Sequence, residues 1–123
     1  MKGNVGKIEQ VELMNSLAFF YRTSGYTGRA LLLLLAAHEL DPHDQDVQIN
    51  LAYVLLLNAE PKQALSVLRR CLTDGANRFT ADDPIHLLHA RILWALGQKD
   101  EARAAFRQFT SARRRQRPIE EAA

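Results

Sequence analysis

The residues best suited to chemistry are two histidines and two aspartates between positions 82 and 89. His86 and His89 lie three residues apart, and Asp82 and Asp83 lie just before them. Imidazole and carboxylate groups at such spacings can bind zinc. The repeat register described below instead places both histidines inside a helical hairpin, where neutral core histidines are the simpler interpretation. We therefore predict no metal site and no cofactor.

Cys71 is the single cysteine of the chain, so no intrachain disulfide can form. It has no neighbouring histidine in sequence and falls at an interior position of the repeat, which predicts a buried, inert thiol rather than a nucleophile. The sequence contains no glycine-rich phosphate loop and no Ser/His/Asp arrangement. We predict that the protein is not an enzyme.

Basic residues concentrate at the end of the chain, although the net charge is only +2. The last residues include four arginines and two glutamates, without which acidic and basic side chains are equal in number: Arg113, Arg114, Arg115, Arg117, Glu120 and Glu121. A neutral body argues against a nucleic-acid-binding face built into the fold. We interpret residues 113–123 as a basic, polar tail and predict no nucleic-acid partner. A weak contact of the tail with nucleic acid or acidic lipid is the alternative.

The most apolar stretch reads ALLLLLAA, at residues 30–37. A membrane span needs about 20 apolar residues, and this run is bounded by Arg29 and His38. The first ten residues, MKGNVGKIEQ, lack the apolar middle of a signal peptide. We therefore expect a cytoplasmic protein without membrane insertion. Alanine and leucine recur at helical spacing, which predicts an all-α fold.

The sequence repeats itself every 34 residues. Ala18 recurs as Ala52, and Ala30 recurs as Ala64, while a third copy follows at an offset of 38. Small residues at these two positions let the two helices of a hairpin approach closely. All three copies carry alanine there: Ala18, Ala52, Ala90, Ala30, Ala64 and Ala102. The pattern is that of the tetratricopeptide repeat (TPR), a 34-residue helix–turn–helix.

Turn and capping residues fit the same register. Gly25 and Gly97 occupy the turn between the helices of a repeat, Asp44 is a candidate N-cap, and Pro61 a first helical residue. We predict three TPR hairpins forming a short right-handed solenoid with a concave groove. The predicted segments are an N-terminal segment at 1–10, a TPR domain at 11–112 with repeats at 11–44, 45–78 and 83–112, and the tail at 113–123. The predicted helices cover about 9–24, 27–40, 45–58, from 61, from 82–84, and from 98 into the arginines.

The first helices of a TPR stack line its groove and therefore carry its candidate binding residues. The predicted groove contains Asn15, Phe19, Arg22, Ile49, Tyr53, Leu56, Leu57, Leu87, Arg91 and Trp94. Aromatic residues and arginine commonly anchor binding surfaces, and an apolar stripe suits an amphipathic helix or extended segment. TPR grooves that bind a C-terminal carboxylate are more charged, and only Arg91 fits their pattern. Packing of some groove residues against each other is the alternative.

The outer face of the first repeat is unusually apolar. Leu32, Leu35 and Ala36 fall at positions that usually face solvent, where the second repeat carries Ser66 and Arg69. This convex patch can be covered by the chain's own residues 1–10, through Val5 and Ile8, by a second copy in a homodimer, or by a partner. Isolated surface leucines can also remain uncovered.

The last repeat ends differently. Arg103 and Thr110 stand where the second repeat has leucines, which predicts a solvated cap. Phe106 and Phe109 are predicted to point back into the hairpin core.

The chain resembles the TPR chaperones of bacterial type III secretion systems, and most closely the YscY family. The resemblance runs over about residues 17–107 and is densest at ILWALGQKDEARAAF and ALLLLLAAHELDP. It implies a bacterial cytoplasmic chaperone whose groove binds a small secreted protein and escorts it to the cytoplasmic domain of the export gate. Translocator and needle-subunit chaperones of the same systems are the second and third resemblances. A TPR adaptor or assembly scaffold without a secreted client is the alternative function.

Overall fold

The computed structural model describes the backbone of residues 2–116 and the side chains of residues 6–116. These residues form helices and no strand: α1 (Lys2–Thr23), α2 (Thr27–Leu40), α3 (Gln45–Leu57), α4 (Pro61–Asp74), α5 (Ile85–Ala95) and α6 (Lys99–Gln116). Consecutive helices pack as three hairpins, α1–α2, α3–α4 and α5–α6. The predicted all-α fold of helix–turn–helix repeats is confirmed. Within the described part of the chain, no helix is both long and apolar enough to cross a membrane.

One predicted helix boundary differs clearly from the structure, at the start of the first helix. α1 begins at Lys2 rather than near Glu9, so the described part of residues 1–10 is helix. The last helix runs into the arginines as predicted, with Arg113, Arg114 and Arg115 in the last turn of α6, where basic side chains complement the helix dipole. The rest of the predicted tail, from residue 117, lies outside the described residues.

Alanine determines how closely the helices of each hairpin approach. The six alanines of the repeat register are all buried, with exposed fractions from 0% at Ala18 to 6% at Ala90. A larger side chain at these positions would separate the helices, because packed interiors leave few voids. The register predicted from the 34-residue period therefore agrees with the observed packing.

All three hairpin turns close with the same backbone motif. The second residue after the end of each first helix has a positive φ: 89° at Gly25, 60° at Ala59 and 81° at Gly97. The next N–H donates back to the helix in each hairpin: Tyr26 to Tyr21 O at 2.8 Å, Glu60 to Leu55 O at 2.9 Å and Gln98 to Leu93 O at 3.0 Å. This pairing is the Schellman motif, which glycine favours. Ala59 adopts it despite the steric cost that a Cβ carries in this conformation.

The chain forms two compact units, residues 1–74 and residues 75–123. The first unit contains α1 to α4, and the second contains α5 and α6. In the first unit α3 packs against both α1 and α2, so the second hairpin stacks on the first. Asp44 caps α3 as predicted, since its Oδ1 accepts a hydrogen bond from the Val47 N–H at 3.1 Å.

A buried glutamine joins the two hairpins of the first unit. Gln48 is fully buried, and its Nε2 donates to Pro42 O at 2.8 Å and to Asp74 Oδ2 at 3.0 Å. His43 Nδ1 lies 3.1 Å from the same Asp74 oxygen. The hydrogen bonds from Gln48 and then His43 lower the pKa of the Asp74 carboxyl. This network links the end of α4 to the loop between α2 and α3.

His38 of α2 lies close to the same junction. Its burial, and then the charges of Arg70 and His43, lower the pKa of the imidazole below 6.5. His38 Nδ1 is buried without a hydrogen-bond partner. Both observations favour the neutral imidazole at pH 7.

Candidate partner-binding surfaces

The predicted groove residues all retain accessible surface. None of the ten is buried, and three large apolar ones are about half exposed: Phe19 at 53%, Leu57 at 42% and Trp94 at 49%. Two groups of these residues line pockets, one in each unit. We refer to them as the α1–α3 patch and the α5–α6 patch, defined by the residues below.

The α1–α3 patch is an open pocket of about 440 Å³ in the first unit. It is lined by Asn15, Ser16, Phe19, Arg22, Asp46, Ile49 and Asn50, and Tyr53 adjoins it through Arg22. The structure thus brings together Asn15, Phe19, Arg22, Ile49 and Tyr53 as the register predicts. The packing of α3 against α1 holds these side chains on one surface.

Arg22 is held between two aromatic rings. Its Cζ lies 4.8 Å from the centroid of Phe19 and 4.2 Å from that of Tyr53, distances at which a guanidinium is attracted to a ring face. The side chain of Arg22 takes part in no hydrogen bond or ion pair among the described residues, and its Nε is buried without a partner. The half-buried guanidinium is therefore positioned by its stem and by the rings while its charge is left without a carboxylate.

Asn50 is a member of this patch that the sequence analysis missed. It is 8% exposed, and its Nδ2 donates to Asn15 Oδ1 at 3.0 Å and to Asn15 O at 3.4 Å. The bond fixes the orientation of Asn15 from the neighbouring hairpin. A polar residue in the middle of the apolar helix QDVQINLAYVLLL was the signal available in the sequence.

The α5–α6 patch is an apolar pocket of about 290 Å³ in the second unit. It is lined by Leu87, Ala90, Arg91, Trp94, Ala102, Arg103 and Phe106. Lys99 Nζ lies 5.3 Å from the Trp94 ring centroid and Arg103 Cζ lies 5.6 Å from it, so cations border the indole. Leu87, Arg91 and Trp94 were predicted as groove residues, and the structure brings them together.

The predicted position of Phe106 is wrong. It was expected in the hairpin core, yet it is 48% exposed, whereas Phe109 is buried at 5% as predicted. Leu34 and Leu68 occupy the same repeat position and are fully buried. Phe106 instead lines the α5–α6 pocket, where part of its ring remains accessible.

Several other predicted residues lie outside both pockets. Leu56 and Leu57 line neither of them. On the convex patch, Leu32 is 71% exposed, Leu35 is 47% exposed and Ala36 is half-buried.

Of the three covers considered for the convex patch, the chain's own residues 1–10 leave Leu32 and Leu35 exposed among the described side chains. Residues 2–10 form the first turns of α1, and Ile8 is itself 56% exposed. The side chain of Val5 lies outside the described residues.

The candidate chemical residues are placed as follows. His86 and His89, predicted inside the hairpin, are partly exposed and line a pocket of about 370 Å³ with Glu101 and Phe109. His86 Nε2 lies 3.0 Å from the backbone oxygen of Thr80. In the part of the chain that the structure describes, no three His, Cys, Asp or Glu side chains are grouped to hold a metal.

The thiol of Cys71 is in the interior, as predicted. The residue is fully buried, and its Sγ lies 3.8 Å from the backbone oxygen of Gln45, to which it donates. This environment suits a packing residue, because a reactive thiolate needs access and a cationic neighbour.

Comparison with known proteins identifies the repeat itself. The tetratricopeptide repeat family matches residues 84–116, which span the α5–α6 hairpin. No curated protein matches the chain. The protein is therefore TPR-containing, and TPRs are protein-interaction modules. The match identifies the repeat and not a particular family of chaperones.

Proposed function

We propose that the protein is a chaperone that binds an apolar helix or extended segment of a small secreted partner and escorts it to a type III secretion export gate. The supporting observation is that Phe19, Leu57 and Trp94, from the first helices of three repeats, each remain about half exposed. Groups of exposed apolar side chains mark interaction sites in soluble proteins. The export gate's cytoplasmic domain is then a second, later partner.

The two patches offer different contacts to such a segment. In the α1–α3 patch, Arg22 presents donors between the rings of Phe19 and Tyr53, which suits a carbonyl or carboxylate beside an apolar residue. In the α5–α6 patch, Trp94 and Phe106 form an apolar pocket that suits one large aliphatic or aromatic side chain. Anchors of this kind usually dominate the binding energy of an interface.

The test is a pair of truncations in the two patches. Trp94→Ala and Tyr53→Ala should each weaken binding of the natural partner by about 2 kcal/mol, or roughly thirtyfold in Kd, without changing the helical content. The partner is identified by co-purification from the native host with mass spectrometry, and its affinity is then measured by calorimetry with purified proteins.

Tyr26→Ala is the matched control. Tyr26 is 54% exposed, close to the 49% of Trp94, but it lies in the turn between α1 and α2. The control should leave the affinity unchanged. Full affinity in both patch variants would show that the partner binds elsewhere.

A TPR adaptor or assembly scaffold is the second candidate. The observation that favours it is the convex patch, where Leu32 and Leu35 offer a further apolar surface that one client does not require. Export of the bound partner, and secretion-apparatus genes beside the gene for this chain, would support the chaperone. Simultaneous binding of two unexported proteins would support the scaffold.

A further inference from the structure

An apolar ridge runs along α1, outside both patches. Leu13, Leu17 and Phe20 are 61%, 40% and 62% exposed. Their spacing of four and three residues places them on one face of the helix. We refer to these three residues as the α1 ridge.

The equivalent residues of the second hairpin are buried in a contact between helices. The residues 34 positions later are Val47, Leu51 and Val54, and their exposed fractions are 0%, 1% and 0%. They lie on α3, which packs against α1 and α2 of the preceding hairpin. The same three repeat positions are therefore a helix-packing surface in α3 and an uncovered one in α1.

We propose that a second copy of the chain covers the α1 ridge, with the two α1 helices antiparallel across a two-fold axis. In this arrangement each ridge covers the other, so both apolar faces are buried by one contact. Closed two-fold dimers are the commonest soluble assemblies. Antiparallel helices also place opposite ends of their dipoles together. The proposal does not depend on the proposed chaperone function.

The charges beside the ridge complement each other in this orientation. Glu9 lies near the start of α1, and Arg29 lies beyond its end, over the rings of Tyr26 at 5.0 Å and Tyr21 at 5.8 Å. The side chains of Glu9 and Arg29 take part in no ion pair or hydrogen bond among the described residues. Antiparallel pairing brings Glu9 of each copy toward Arg29 of the other.

Head-to-tail stacking is less suitable than the two-fold contact. To continue the stack, α6 of one copy would have to cover the α1 ridge of the next. At two repeat positions α4 carries Leu65 and Leu72, whereas α6 carries Arg103 and Thr110. The polar residues weaken α6 as a cover, and a head-to-tail contact that does not close would produce filaments.

Disulfide trapping tests the geometry directly. Leu17 is the middle residue of the ridge, so it lies next to its own equivalent across the axis. Leu17→Cys in a Cys71→Ser background should form a covalent dimer under mild oxidation. Ser66→Cys in the same background is the control, since Ser66 is exposed on the outer face of α4. Cross-linking of Leu17→Cys no faster than that of Ser66→Cys would overturn the proposal.

Two further experiments test the contact in solution: measurement of the molecular mass, and reversal of the charges at Glu9 and Arg29. Sedimentation should show the wild-type chain as a dimer at about 50 µM, and Leu13→Ser with Phe20→Ser as a helical monomer. Glu9→Arg and Arg29→Glu should each raise the dimer Kd by about fivefold, the combined effect of the two symmetry-related exposed ion pairs. The double reversal should restore the wild-type Kd. A monomeric wild-type chain at this concentration, or no recovery in the double reversal, would contradict the two-fold contact.

Discussion

The first and second hairpins have the same repeat register but different surroundings. In α3–α4 the ridge residues are buried, and the outer face carries exposed polar residues such as Ser66 and Arg69. In α1–α2 the corresponding ridge is exposed, and the outer face carries Leu32 and Leu35. The comparison shows that a neighbouring hairpin, and not residue type, decides burial at a repeat position. Apolar residues that lack this neighbour are available for intermolecular contacts.

The largest expected difference between the hairpins is in the stability lost when Leu51 and Leu17 are each truncated to alanine. Leu51→Ala leaves a cavity beneath the first hairpin and should lower the free energy of unfolding by about 2–5 kcal/mol. Leu17→Ala removes a side chain that is 40% exposed, so it should cost less than about 1 kcal/mol. Urea denaturation at protein concentrations low enough to keep the chain monomeric measures both. Equal losses would mean that the α1 ridge is buried within the monomer.

The next largest effect concerns the helix contact inside the second hairpin. Ala52 is fully buried, so Ala52→Leu should overpack α3 against α4 and cost about 1–3 kcal/mol. Ala36→Leu adds the same atoms at a half-buried position on α2 and should cost much less. Thermal melts followed by circular dichroism compare the two. A similar loss at Ala36 would place it inside the first hairpin.

The two turns of the first unit should respond in opposite directions to exchange of glycine and alanine. Gly25→Ala places a Cβ at a φ of 89° and should cost about 1 kcal/mol. Ala59→Gly removes the Cβ at a φ of 60° and should raise the free energy of unfolding by about 0.5–1 kcal/mol. Denaturant midpoints at a constant m-value give both changes. A loss of stability in Ala59→Gly would show that chain entropy outweighs the steric relief.

The smallest stability effect is expected at the convex patch. Leu32→Ser with Leu35→Ser changes two exposed side chains and should alter the free energy of unfolding of the monomer by less than about 0.5 kcal/mol. If a partner covers the patch, the variant should gain solubility and lose partner affinity, both of which can be measured on the purified protein. A large fall in melting temperature would indicate that another part of the chain covers these leucines.

Local rules explain why much of the fold could be predicted from the sequence. Alanines at a 34-residue spacing and glycines in the turns report on contacts within one hairpin, and these contacts are the same in each copy. The grouping of Asn15 and Arg22 of α1 with Tyr53 of α3 followed from the same register, because these residues fall at predicted groove positions of the first helices of two successive repeats. A repeat pattern records such positions directly.

Side-chain exposure and contacts between hairpins were harder to predict from the sequence. Phe106 has the sequence context of a core residue, yet it lines the α5–α6 pocket and is 48% exposed. Leu13 and Leu17 are ordinary apolar positions of an amphipathic helix until their burial is compared with that of Leu51. Asn50 contacts Asn15 from the neighbouring hairpin, and a one-dimensional pattern does not record which side chain it meets.

The hydrogen bonds around Asp74 make the first unit sensitive to acid. The folded pKa of this carboxyl lies below its usual 3.8, so it stabilises the fold above that pH and the contribution is lost as the pH falls through the folded value. The folded pKa of His38 lies below 6.5, so the unfolded chain takes up this proton first and stability declines as the pH falls from 6.5. The denaturant midpoint should therefore decrease over two separate pH ranges, one for each group. Asp74→Asn should abolish only the decrease in the more acidic range. Proton uptake at this junction would loosen the second hairpin from the loop that precedes it.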